Sequence, residues 1–214
     1  MALLNFSIRI SAWGGEEEDK KVPNRALRLF SQFLRSPRSI GTVVPSSKRL
    51  AKHMIRPIDF AKPSVIVEFG PGTGAITSEI AKRLQPHSRY IGVELNKKLF
   101  NDMQARFPEL QFVNRSATDI LDILKSLKIE KADAVISGIP WASLPAVIQS
   151  DILDGAVKCL RPGGVFVTYA YLPGLLLPAA LLLRRQLRAR FAKVETTRVV
   201  WNNFPPAFTY VCHR

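Results

Sequence analysis

The chain has 214 residues, 47% of them hydrophobic and 22% charged, which is enough apolar material for one full core and too much for a disordered segment. Its formal net charge of +14 points to an anionic partner, whether nucleic acid, an anionic membrane surface or a phosphate-bearing substrate, and charge alone does not choose among them. With only two cysteines, Cys159 and Cys212, a disulfide framework and a metal-ligand spacing are both excluded, so no metal is expected and a reducing, cytoplasmic location is the default.

Met1 to Trp13 is apolar, yet Arg9 interrupts it, no basic cluster opens it and no small-residue cleavage site follows, so it does not read as a signal peptide. No apolar run reaches the length of a membrane span. Gly14 to Lys21, GGEEEDKK, is a solvated linker by composition. From Asn24 to Ser36, helical spacing puts Ala26, Leu27, Phe30, Phe33 and Leu34 on one face with Arg25, Arg28 and Arg35 flanking it. Such a basic amphipathic helix either lies at a lipid interface with its aromatic rings inserted or packs on the core with its arginines in water. Ser46, Ser47, Lys48 and Arg49 then open a helical pattern running to Met54, with Pro45 fixing the approach. Hydroxyls at a helix start followed by basic side chains suit a phosphate, and they equally suit a plain N-cap with solvated cations. His53 in this helix, like His87 and His213, fits a surface or packing role better than that of a base.

From Lys62 onward, apolar strand runs alternate with amphipathic helices, the pattern of a parallel sheet covered on both faces. Strands are predicted at Ser64–Phe69, Tyr90–Glu94, Leu110–Asn114, Ala132–Ser137 and Gly164–Tyr171. Helices are predicted near Ala75–Leu84, Lys97–Phe107, Ile120–Lys125 and Ala146–Leu160, the last stopped by the proline and glycines of Arg161–Gly164. Gly174–Arg190 is strongly apolar at Leu175–Leu183 and basic at Arg184, Arg185, Arg188 and Arg190, a pattern that suits core on one turn and an anionic lipid surface on the next. Two β-rich segments, Val194–Trp201 and Ala207–His213, joined by a short turn, would insert an antiparallel strand into the otherwise parallel sheet.

The stretch Val65–Gly74, VIVEFGPGTG, joins an apolar strand to three closely spaced glycines with a carboxylate at the junction. Gly70, Gly72 and Gly74 let the backbone take positive φ and let a ligand approach the main chain. Glu68 would repel a pyrophosphate there, so a cationic or neutral polar ligand fits better. Glu94 stands near the end of the next apolar run, 20 residues after Gly74, where a carboxylate can accept both hydroxyls of a ribose.

Together with Ser116, Ala117 and Asp119, with Ser137–Trp141 and with the turn Arg161–Gly164, these residues make the chain resemble a class I S-adenosylmethionine-dependent methyltransferase. The resemblance implies a Rossmann-like seven-stranded α/β sheet with helices on both faces and an N-terminal amphipathic helical extension. It implies S-adenosylmethionine as cofactor and S-adenosylhomocysteine as product, lying across the strand ends. The amino-acid portion would sit against Glu68, Gly70, Gly72, Thr73 and Gly74, the ribose on Glu94 beside Leu95, and the adenine near Ser116 and Ala117, with Ser137 alongside. Arg115–Ala117 stand where many members have Gly-Asp-Ala, so Ser116 or a backbone amide takes the place of the aspartate.

A narrower resemblance is to the bacterial phospholipid N-methyltransferases. It is carried by Phe33–Arg35, by IGTVVPSSKRL at Ile40–Leu50, by SGIPWASLP at Ser137–Pro145, by Tyr171–Pro173 and by Asn203–Ala207. It implies stepwise N-methylation of phosphatidylethanolamine towards phosphatidylcholine, by a cytoplasmic protein held peripherally on the inner face of the membrane. A phospholipid substrate and an anionic phospholipid surface are the expected partners, and nucleic acid is disfavoured. An in-line displacement on a sulfonium methyl needs a neutral nucleophile held in place. An ammonium with a pKa near ~10 must therefore shed a proton on entering, which desolvation and the cofactor's positive charge both favour. Tyr171, helped by Tyr169, is expected to orient that amine, although a tyrosine there also suits plain packing at the core edge. Gly138, Ile139, Pro140 and Trp141 are expected to shape the acceptor pocket, and Ser46, Ser47, Lys48 and Arg49 to hold the lipid phosphate or cover the cofactor. The chain then divides into residues 1–60, an arm of amphipathic helices covering the membrane or substrate side, and residues 61–214, the cofactor-binding domain. Two other activities compete. An RNA adenine N6-dimethyltransferase shares fold, cofactor and basic surface, but its asparagine for the flipped base is Gly138 here, and no further domain follows the last strand. A non-catalytic membrane-peripheral binding protein would not need Glu68, the glycines and Glu94 intact.

Overall fold

The computed structural model describes residues 47–214 apart from Pro63 and Leu176. Ser46, the linker and the Asn24–Ser36 amphipathic stretch lie outside the described residues. The elements follow in the order α1 (Lys48–Ile55), β1 (Val65–Phe69), α2 (Ala75–Ala81), β2 (Arg89–Val93), α3 (Lys97–Arg106), β3 (Gln111–Val113), α4 (Ile120–Ser126), β4 (Ala132–Ser137), α5 (Ala146–Cys159), β5 (Leu160–Tyr171), α6 (Pro178–Arg190), β6 (Lys193–Thr196) and β7 (Ala207–His213).

The seven strands form one mixed sheet in the order β3-β2-β1-β4-β5-β7-β6. Neighbours from β3 to β5 are parallel, and β7 runs antiparallel to both β5 and β6. Strand order reverses between β1 and β4, and there Phe69 lies opposite Ser137. In a sheet of this kind, the crevice beyond the carboxyl ends of those two strands is where a ligand finds open backbone. Helices α4, α5 and α6 cover one face of the sheet, and α1, α2 and α3 cover the other.

Helix α1 shows how sequence dictates placement. Ser47 holds an extended conformation and its hydroxyl accepts from Leu50 N at 3.2 Å, which caps the first turn. Leu50, Ala51, Met54 and Ile55 then fall on one stripe and are buried in one cluster with Ile66 and Val167 of the sheet and Ile76 of α2. Each of the large ones contributes about 2 kcal/mol by leaving water. Arg49, Lys52, His53 and Arg56 take the opposite stripe.

Two boundaries differ from expectation, each for a local reason. Leu160 is already extended and pairs with Ala132, so α5 ends at Cys159, and Arg161–Gly164 forms an irregularity inside β5 rather than a turn before it. Gly163, at φ +73°, makes that kink possible. Strand β6 stops at Thr196, and residues 197–206 make a long link to β7 in place of a short turn, tied back where Thr197 N donates to Thr209 O at 2.9 Å and Val200 pairs with Ala207. Pro205 and Pro206 have no N–H to give a ladder. In the apolar and basic Gly174–Arg190 stretch, helix α6 starts at Pro178, whose fixed φ suits a first helical position, after a 3-10 turn at Leu172–Gly174.

Candidate active site

The turn after β1 is held from two sides. Gly70 N donates to Val93 O at 2.9 Å, and Gly72 N donates to the Glu94 carboxylate at 3.0 Å, with φ of +68° and +57° at the two glycines. Across the crevice, a Cβ on Gly138 would stand 2.7 Å from Gly70 O, so the loop after β4 is pressed against the turn as closely as backbone allows. Glu94 is 4% exposed, and its other oxygen accepts from Asn96 N at 2.9 Å. Burial raises its pKa, against the pull of the Asn96 and Gly72 amides. The Leu95 amide pulls on it as well, and a carboxylate with about four acceptor sites still has room for a ribose hydroxyl. Asn114, just past β3, fixes this corner by donating to Glu94 O and Leu95 O at 2.8 and 3.1 Å.

Glu68 is wholly buried beneath the turn. One carboxylate oxygen accepts from Thr77 Oγ1 at 2.9 Å and from the Tyr90 hydroxyl at 2.7 Å, and the other has no partner. Gly92 makes room for this cluster, because a Cβ there would sit 2.9 Å from the Tyr90 hydroxyl and closer still to Phe112. Burial pushes the Glu68 pKa up to about 7, partly opposed by the Tyr90 and Thr77 hydrogen bonds. A buried carboxylate with an oxygen unmatched, below a turn of bare backbone, fits a ligand that brings a cationic group and a nucleoside.

The remaining expected cofactor residues surround this crevice unevenly. Thr73 is exposed, and its carbonyl accepts from the Arg106 guanidinium at 2.9 Å. Ser116 and Ala117 are buried, and Ser116 Oγ accepts from Thr118 N and Thr118 Oγ1 at 3.3 and 2.8 Å, leaving its own O–H to donate. Ser137 is fully buried, with its hydroxyl turned back to Ile139 N at 3.4 Å.

In the loop after β4, Gly138 and Pro140 are half-buried, while Ile139 and Trp141 point into the core. The Trp141 indole donates to Thr168 Oγ1 at 2.9 Å, Thr168 donates on to Ser137 O at 3.2 Å, and Gln149 Nε2 donates to Trp141 O at 2.9 Å. Trp141 thus props the loop from below. Tyr169 and Tyr171 are half-buried at the end of β5, edge to face with ring centres 5.4 Å apart, and they pack on the same apolar cluster as α1. Burial, with Tyr169 alongside, raises the Tyr171 pKa well above that of an ordinary phenol, so its hydroxyl stays protonated. Lys48 and Arg49 are exposed, and Ser47 N donates to Asn203 Oδ1 at 3.1 Å, which ties α1 to the link before β7. Thr77, Tyr90 and Asn114 leave no site signal in the sequence beyond a hydrogen-bonding side chain on an otherwise apolar run or beside a turn, and Asn203 leaves only its place in the Asn203–Ala207 motif. Among the described residues, no cluster of His, Cys, Asp and Glu is placed to hold a metal, and no helix is long and apolar enough to cross a membrane.

A reversed seven-stranded sheet with an antiparallel seventh strand, and with one acid under the first turn and another closing β2, defines the Rossmann-like methyltransferase class. Residues 67–166 match the family model described as a methyltransferase domain. An ornithine lipid N-methyltransferase from Singulisphaera acidiphila is 30% identical over 187 residues, covering 86% of this chain and 93% of the relative. A ribosomal RNA small subunit methyltransferase A from Thermotoga neapolitana is 28% identical over 58% of this chain, which spans 45% of that relative. Among solved structures, TrmN from Thermus thermophilus superposes with a TM-score of 0.61 at 23% identity, over 78% of this chain and 49% of its own. The chain belongs to the class I S-adenosylmethionine-dependent methyltransferases. Its cofactor is S-adenosylmethionine and its product S-adenosylhomocysteine.

Proposed function

We propose that the chain methylates the amine of a membrane-lipid headgroup, with phosphatidylethanolamine and amine-bearing ornithine lipids as the acceptor class. The observation that carries this is the match to the ornithine lipid N-methyltransferase, which runs almost the full length of both chains, whereas the chain spans 45% of the Thermotoga ribosomal RNA methyltransferase. The acceptor loop supports it. The position where an RNA adenine N6-methylating enzyme keeps an asparagine is Gly138, whose missing Cβ faces Gly70 O at 2.7 Å, so an asparagine fits only if the glycine turn moves.

When bound, S-adenosylmethionine supplies an electrophilic methyl on a sulfonium. Glu94 holds the ribose, the glycine turn brings bare backbone up to the amino-acid portion, and Glu68 offers its unmatched oxygen to positive charge above it. Tyr171 is too weak an acid to become a phenolate at neutral pH, so it serves as a fixed hydrogen-bonding group that turns the lone pair of a neutral amine towards the methyl, with Tyr169 packed edge-on to keep it in place. Half-buried surroundings favour the neutral amine over the ammonium. Incubation of the protein with labelled methyl donor and, in separate tubes, phosphatidylethanolamine vesicles, ornithine lipid vesicles and ribosomal RNA should put label in an amine lipid. Label in RNA alone overturns the proposal. Tyr171→Phe should lower kcat about tenfold and leave S-adenosylhomocysteine affinity unchanged.

A further inference from the structure

Helix α1 presents Arg49, Lys52, His53 and Arg56 at positions i, i+3, i+4 and i+7, so all four line one side of a groove of about 360 Å³. The facing wall is the link before β7, through Val200 and Trp201. Among the described residues, Arg49, Lys52 and Arg56 form no ion pair, and the carboxylate that Lys52 helps to hold ionised, Glu79, is itself paired with Lys82 and Arg83. Burial first, and the Arg56 charge second, lower the His53 pKa, so the groove's charge comes from the other three.

Around this groove, large apolar side chains stand in water. Trp201 is 71% and Phe204 83% exposed on the link, and Leu177 and Leu181 are each 52% exposed at the start of α6. The turn that leads from β5 towards α6 is joined to the link where Leu172 N donates to Pro206 O at 2.8 Å, and the helix bearing the cations is tied to the same link through Ser47 and Asn203. The link enters β7 at Ala207, which pairs with both Val200 and Tyr171, so it borders the end of β5 that carries Tyr169 and Tyr171. Cations beside exposed aromatic and aliphatic side chains match the charge and polarity profile of an anionic bilayer surface, with phosphates at the headgroups and hydrocarbon just below. Stacking on nucleobases would use the two rings but gives the leucines nothing to do.

We infer that the α1 groove and the exposed apolar side chains of the link and of α6 form one docking face for an anionic phospholipid bilayer, in which Arg49, Lys52 and Arg56 take lipid phosphates and Trp201 and Phe204 enter the interface. This rests on the lipid-amine function proposed above and adds to it the surface that delivers the acceptor to Tyr171.

The test is sedimentation of the full chain with vesicles of phosphatidylcholine alone and of phosphatidylcholine with about one-third phosphatidylglycerol, which needs no turnover. The chain should pellet with the anionic vesicles, less so as salt rises. Arg49→Gln/Lys52→Gln/Arg56→Gln should weaken that partitioning by on the order of 100-fold and flatten its salt dependence, and Trp201→Ser/Phe204→Ser should weaken it about tenfold while keeping the salt slope. Both variants change exposed side chains, so an unchanged unfolding midpoint certifies the fold. Partitioning equal to the parent in both variants overturns the inference, as does a triple variant that loses binding to a ribosomal RNA fragment and still pellets fully with vesicles. If the face binds vesicles but no lipid accepts a methyl, the docking stands and the proposed acceptor falls; if lipid is methylated while the triple variant pellets as well as the parent, the docking falls alone.

Discussion

The two ends of the strand-order reversal are built on opposite plans. On the β1–β3 side, the charged groups at the crevice are held from within: Glu94 takes two backbone amides, Glu68 takes two hydroxyls, and Asn114 ties down the carbonyls behind them. On the β5–β7 side, cations of α1 and large apolar side chains of the link and α6 face water. A ligand of fixed shape is best met by groups that cannot move, because their reorganisation would otherwise subtract from its affinity. An acceptor drawn from a fluid surface needs instead a broad, chemically mixed rim, and pairing those cations internally would defeat it. The contrast separates what a methyltransferase shares with its relatives from what selects its substrate.

The contrast is broken most severely at Gly138. Gly138→Asn should raise the S-adenosylhomocysteine dissociation constant at least tenfold and stop turnover, because the new Cβ meets the Gly70 carbonyl at 2.7 Å, and it should confer no RNA methylation. Calorimetry and a labelled-RNA assay check both halves. Glu94→Ala should weaken the same ligand by roughly tenfold to a hundredfold, as two buried amides and the ribose lose their acceptor. Glu68 gives a pH test. Its carboxyl holds its proton in the fold to about pH 7, while an exposed glutamate gives it up near 4.5. The folded state therefore binds the extra proton in that window, and stability should fall as pH rises from 5 to 7.5, by up to about 3 kcal/mol, then level off. Urea midpoints measured across that range should show the decline in the parent and a flatter profile in Glu68→Gln. Trp141→Phe should do least, costing about 1 kcal/mol by leaving Thr168 without its indole donor, with cofactor affinity unchanged.

The sheet was legible because its signals are periodic and redundant. Five apolar runs separated by amphipathic helices admit few other folds, and the glycines with Glu68 and Glu94 locate the crevice without coordinates. What escaped were features created by contact. Trp141 belongs to a motif that reads as pocket, yet its direction depends on Thr168 and Gln149, which are remote in sequence. Tyr90 looks like one more strand residue until Gly92, by lacking a side chain, brings its hydroxyl to Glu68. The link at residues 197–206 was too apolar at Val199–Trp201 to be read as anything but strand, and only the prolines hinted otherwise. The groove on α1 was half visible, since the i, i+3, i+4, i+7 spacing of its basic residues is in the sequence, but its facing wall comes from 150 residues downstream.

Strand β7 comes late in the chain and sits inside the sheet, with β5 on one flank and β6 on the other. Until residues 207–213 emerge during translation, β5 carries a long unsatisfied edge lined by Phe166, Thr168 and Tyr169, and β6 has nothing to pair with. Arg214 N then bonds Gly164 O, fastening the final strand to the start of the β5 ladder. Closure of the sheet must therefore wait for these residues, and the half-made sheet, with its open β5 edge, is the species most exposed to wrong pairing.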